Sequence, residues 1–164
     1  MADSCVVVAD AARARFFTLE AAADPDFESG PNLVEHVGLD NAEASMQGKE
    51  KYSDNKSGRN QGGIGATHGF DDHRDKHDME NHRRFAQRVV SEAVSLANKS
   101  NARQLVITAE KQMLGMLRQA MSGSNHNSFE IREVAKDLTK LAPHEIHKHL
   151  AGEQLVPAQR RPGR

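Results

Sequence analysis

Two groups of side chains in this chain have the types and spacing to do chemistry. Four histidines, His68, His73, His77 and His82, fall within fifteen residues, beside Asp71, Asp72, Asp75 and Asp78. On a helix that begins early, His73 and His77 share a face at i and i+4, a spacing that can hold two ligands of zinc or a similar ion. Arg74 stands where the His-Glu-x-x-His signature of zinc proteases needs its glutamate, so a third ligand would have to come from elsewhere. Solvated polar residues at the start of a helix are the simpler explanation. The second group is Asp10, which closes the first apolar run, and Glu110, which follows the fourth. If those runs are neighbouring strands, the two carboxylates could hold divalent metal for a phosphodiesterase reaction. The plainer account makes Asp10 a turn residue and Glu110 a favourable charge at the positive end of the next helix. There is no Gly-x-Ser-x-Gly elbow, Cys-x-x-Cys pair or Gly-x-x-x-x-Gly-Lys loop. Covalent catalysis and nucleotide hydrolysis therefore lack support, and no small-molecule substrate is indicated. A divalent metal is the sole cofactor candidate; otherwise none is expected.

The elements that must position these residues follow from periodicity. Cys5–Ala9 and Arg13–Leu19 read as two strands joined by a tight turn, and Leu33–Val37 as a third. Gln47–Asp78 is polar and rich in glycine and histidine, and is read as part of a long flexible loop at about residues 40–74. Its stretch SGRNQGGIGATHGFDDHRDKH, Ser57 to His77, carries five glycines, which allow close approach of the backbone to a ligand. From Asp75 or Asp78 the period becomes helical, with Phe85, Val89, Ala93, Leu96 and Ala97 on one face. Gln104–Thr108 is the fourth strand, Glu110–Met121 the second helix, Phe129–Val134 the fifth strand and Pro143–Leu150 the last helix. The order β-β-β-α-β-α-β-α predicts an α/β fold, with a ribonuclease H-like five-stranded mixed sheet in the order 3-2-1-4-5 flanked by helices. One domain over residues 1–152 and a disordered basic tail at 153–164 complete the expectation.

Composition narrows the setting. Among 164 residues aromatics are only 4%, so aliphatic side chains, methionines and six phenylalanines must build the core. The single Cys5 excludes an internal disulfide and fits a reducing compartment. With no export signal and no run of about 18 apolar residues, a cytoplasmic protein without membrane contact is expected. Net charge is −1, yet residues 1–50 hold 3 basic against 10 acidic side chains and residues 51–164 hold 19 against 13. A basic lower part can meet phosphate backbones, although both signs are interleaved as on an ordinary solvated surface.

VVVADAARARFF at 6–17, HGFDDHRDKHDMENHRRFA at 68–86 and KDLTKLAPHEI at 136–146 resemble the bacterial host-attachment protein family, in order and over nearly the whole chain. The family's name implies a part in attachment to host cells, which for a chain lacking an export signal would be indirect. The same family is similar in topology to the middle domain of archaeal and eukaryotic peptide-chain release factors. Those carry a Gly-Gly-Gln tip between the third strand and the first long helix. Gln61-Gly62-Gly63 lies in the equivalent connection in reversed order, which argues against peptide release. The resemblance thus implies a glycine-rich finger, Gln61 to Gly63 with Arg59, Arg74 and Lys76 near its base, that contacts the ribosome or structured RNA through phosphates and backbone groups. Three readings stand: this non-enzymatic RNA-binding module, the metal-dependent phosphodiesterase or nuclease, and a regulator of surface attachment that binds a protein partner.

Overall fold

The computed structural model describes residues 3–43, 67–124 and 128–163, with the backbone alone over 67–74. The first strand, β1 (Ser4–Ala9), is buried at all six positions. A β-branched run of this kind suits a strand covered on both faces. It pairs antiparallel with β2 (Arg13–Glu20) on one side and parallel with β5 (Gln104–Ala109) on the other. β5 in turn pairs in parallel with β6 (Glu130–Ala135). On the outer edge of β2 lie both β3 (Asn32–Glu35) and β4 (Leu39–Asp40), antiparallel to it. Between them the chain hugs β2: His36 donates its backbone N–H to Phe16 O at 2.8 Å, and a Cβ on Gly38 would stand 2.6 Å from Ala14 O. Only glycine fits so close an approach.

Alternate residues of the central strands face opposite layers. Cys5, Val7, Ala9, Phe16, Leu105 and Ile107 meet α1 (Thr67–Lys99) and α2 (Lys111–Ser122) through Phe85, Val89, Ala93, Met113 and Leu117. Val6, Val8, Phe17, Leu19 and Val106 meet α3 (Pro143–Gly152) through Ile146 and Leu150, with Leu138 and Val156 closing the layer. Cys5 Sγ lies 3.2 Å from Ser100 Oγ, and burial pushes its thiol pKa up, against a smaller lowering by that bond.

The α/β class is as expected, and three departures have physical reasons. The sheet has six strands, ordered β3-β2-β1-β5-β6 with β4 also on β2, in place of five in the order 3-2-1-4-5. Two residues, Leu39 and Asp40, are too few to show alternation. The first helix starts at Thr67 rather than at Asp75 or Asp78, so the expected loop ends earlier. Its apolar stripe begins only at Phe85, but hydrogen-bonded turns propagate cheaply from a packed segment through one that contains no proline. Residues 153–163, expected to be disordered, lie against the body. Val156 is buried, Gln104 Nε2 donates to Leu155 O at 2.8 Å, and Arg160 exchanges backbone hydrogen bonds with Gly30. Leu155, Val156 and Ala158 in a short basic segment were too weak a signal.

Val156→Ala removes two buried methyl groups and is expected to lower the stability to unfolding by about 1–2 kcal/mol. Urea denaturation checks this, and an unchanged midpoint would show that the terminal segment is not part of the second layer.

Candidate functional site

The carboxyl ends of the parallel strands gather a dense set of polar contacts. Val8 is level with Thr108, and Thr108 with Val134, so Asp10, Glu110 and Lys136 follow at one height along the sheet edge. Open α/β sheets bind ligands in such crevices. Here the edge is taken up by the chain itself. Asp10 Oδ1 accepts the backbone N–H groups of Ala12 and Arg13, each at 2.8 Å, and so shapes the β1–β2 turn. Glu110 caps α2, with Oε1 accepting from Met113 N at 2.8 Å and Oε2 from Gln112 N at 3.1 Å. The two carboxylates foreseen as a metal pair therefore stand on adjacent strand ends but each holds a backbone turn.

Across this edge runs the segment from Lys136 to Leu141, fastened by two arginines of β2. Arg13 Nη2 donates to Thr139 O at 2.8 Å, and Arg15 Nη1 to Thr139 O at 3.0 Å and Leu141 O at 2.6 Å. The rest of the Arg15 guanidinium makes a two-pronged contact with Glu35, at 3.0 and 2.6 Å, and lies 5.2 Å from the centre of the Phe17 ring. The arginine hydrogen bond holds the Glu35 carboxyl below its ordinary range, against partial desolvation. Thr139 Oγ1 donates to Asp137 Oδ1 at 2.6 Å and also lies 3.2 Å from Asp10 Oδ2, so one hydroxyl proton links both segments. That hydroxyl bond is the main cause depressing the Asp137 carboxyl. The backbone N–H of Thr139 and the charges of Lys140 and Arg13 add to it, and desolvation opposes it.

A second polar knot closes the entrance to residues 44–66. Asn41 N donates to Ala12 O at 2.7 Å, and its Nδ2 donates to Ala11 O at 3.0 Å and Asn81 Oδ1 at 2.6 Å. Asn81 Nδ2 donates to Glu43. Asn41 and Asn81 are 5% and 4% exposed, so each amide is worth far more bonded than left alone. The end of β4, the β1–β2 turn and the middle of α1 are thereby tied together.

Of the residues singled out in the sequence, Arg59, Gln61, Gly62 and Gly63 lie outside the described residues. His73 and Arg74 are placed as backbone of α1, while Lys76 and His77 are exposed on that helix. Among the described residues no three His, Cys, Asp or Glu side chains converge as a metal site would require. Sequence reasoning passed over Arg13, Arg15, Asp137 and Thr139, and the Asn41–Asn81 pair. One signal was present: two arginines at alternate positions, hence on one face, of a largely apolar strand.

The segments that meet in the first knot, ADAARARFF and KDLTKL, are also those that most invite comparison with other proteins. A family model described as "Protein required for attachment to host cells" matches residues 5–150. The chain belongs to the host-attachment family. No curated protein gives a significant match. In this host-attachment protein the matched span reaches from β1 to the last full turn of α3, so both knots lie within it.

Thr139→Val deletes the hydroxyl that serves Asp137 and Asp10, and is expected to cost about 1–2 kcal/mol. The pH dependence gives its signature. A carboxyl depressed in the folded state contributes stability above its unfolded pKa, roughly 4, and loses it as pH falls through the lower folded value. In Thr139→Val the Asp137 contribution shrinks, so stability should fall less steeply below about pH 4 than in the parent chain. Parallel slopes in urea titrations across that range would refute the assignment.

Proposed function

We propose that this host-attachment protein is a non-enzymatic binding module that holds the glycine-rich stretch between β4 and α1 against RNA, with the ribosome as first candidate, and affects attachment indirectly from the cytoplasm. The observation that carries the reading is the Asn41–Asn81–Glu43 knot, which ties the chain's entry to that stretch against the middle of α1, beside the β1–β2 turn. A framework that spends two buried amides on holding the base of a segment fits presentation of that segment to a partner. Next to it, α1 exposes Lys76, Arg83, Arg84 and Arg88, with Asp75, Asp78, Glu80 and Glu92 interspersed. Such cations suit phosphate contacts that position without reading sequence. Gln61-Gly62-Gly63 would supply backbone donors, in keeping with a ribonuclease H-like, release-factor-like ancestry. No described helix is long and apolar enough to cross a membrane.

The phosphodiesterase alternative draws on the level placement of Asp10 and Glu110, but would require both to give up their turn and cap bonds. A regulator that binds a protein partner would use the same presented stretch, and the sheet offers no separate feature in its favour.

Purified protein should cosediment with ribosomes at low salt. Deleting residues 58–68, or combining Arg83→Gln, Arg84→Gln and Arg88→Gln, should weaken the association by roughly tenfold or more, and added salt should do the same. If the protein stays in the supernatant at every salt concentration, the RNA reading fails. Manganese-dependent nuclease activity abolished by Asp10→Asn would replace it with the enzymatic one.

A further inference from the structure

A cavity of about 530 Å³ opens between β3, α3 and the terminal segment, on the far side of the sheet from α1. Its size is that of small-molecule sites. Leu33, Pro143 and Ala158 supply apolar wall, and the titratable groups that line it are His144, His147 and Lys148. No acidic side chain is among its lining residues. The neighbouring cavity makes the contrast plain: there Lys136, Lys148 and His149 are offset by Glu145 and Glu153, and Lys136 is paired with Glu153. The one acid in the first turn of α3, Glu145, lines that second cavity and not the first.

The walls are built rather than accidental. His147 is 5% exposed, and its Nε2 donates to Pro157 O at 2.8 Å. A carbonyl only accepts, so Nε2 carries the hydrogen and the bond fixes the ring as part of the wall. Gln159 donates to Asn32 across the rim, and Asn32 Nδ2 donates to Ser29 O at 2.8 Å. The opening turn of α3 sets Pro143 and His144 on the cavity wall, while the Glu145 carboxylate turns to the helix start and accepts from Ala142 N at 3.4 Å.

We infer that this cavity is a binding site for a small organic anion, with a carboxylate or phosphate group held by Lys148 and His144, and an apolar body against Leu33, Pro143 and Ala158. The site is separate from the RNA-binding reading and does not depend on it. Because the terminal segment forms one wall, occupancy should also hold that segment down.

Isothermal titration of the full chain with phenyl phosphate, benzoate and the neutral benzyl alcohol tests the assignment. One or both anions should bind saturably at one per chain, and benzyl alcohol should not. Binding of phenyl phosphate alone identifies a phosphate ester as the natural class, benzoate alone a carboxylate, and both a shared anion site. Lys148→Gln and His144→Gln should each weaken binding by about tenfold, the loss of one charge-assisted contact. Lys140→Gln, outside the cavity, should leave it unchanged. His144 lines this cavity and not its neighbour, so its variant separates the two. Bound anion should also slow tryptic cleavage after Arg160. Absence of saturable binding by either anion, binding indifferent to both variants, or binding without protection of Arg160 would each overturn the proposal.

Discussion

A central strand buried on both faces leaves its antiparallel neighbour little room for charge, and β2 nevertheless carries Arg13 and Arg15 facing the layer of α3. Both guanidinium groups donate to carbonyl oxygens of the segment that leads into α3, at Thr139 and Leu141, and Arg15 also to Glu35. A guanidinium has five donors and cannot shed its charge, so a half-buried arginine demands acceptors in fixed places. That demand sets the path of residues 136–141 across the sheet edge, and with it the start of α3. The position of α3 then determines where Ile146 and Leu150 meet the sheet, and where the terminal segment can lie.

The same economy shapes the strand ends, where two carboxylates stand. Asp10 and Glu110 reach the same level because β1 and β5 are in parallel register. Each is then held by backbone N–H groups, one in a turn and one at a helix start. Carboxylates committed in this way hold the turns of the scaffold. Function on such a framework falls to what the framework carries, since fold alone does not prescribe it.

What could be read from the sequence was what periodicity encodes. The apolar runs at Cys5–Ala9 and Gln104–Thr108, the stripe from Phe85 to Ala97 and the methionine-leucine face of α2 all form the elements their spacing indicates. The favourable charge of Glu110 at the start of α2 was legible too, although its side-chain cap on Gln112 and Met113 was not. The knots were not, since Thr139 lies more than 120 residues from Asp10 and Arg13, and Asn41 lies 40 from Asn81. Polar pairs at such separations leave no local period. The strand at Leu39–Asp40 and the docking of Val156 escaped for a related reason: each rests on very few side chains supported by distant backbone.

The buried position of Cys5 has a practical corollary. As the chain's lone thiol, set beneath α1 with its ionisation discouraged by burial, it presents neither access nor thiolate to an alkylating reagent. A cysteine introduced at an exposed residue of α1 would therefore react by itself, so a fluorophore or spin label can be attached beside the glycine-rich stretch while the native residue is left in place.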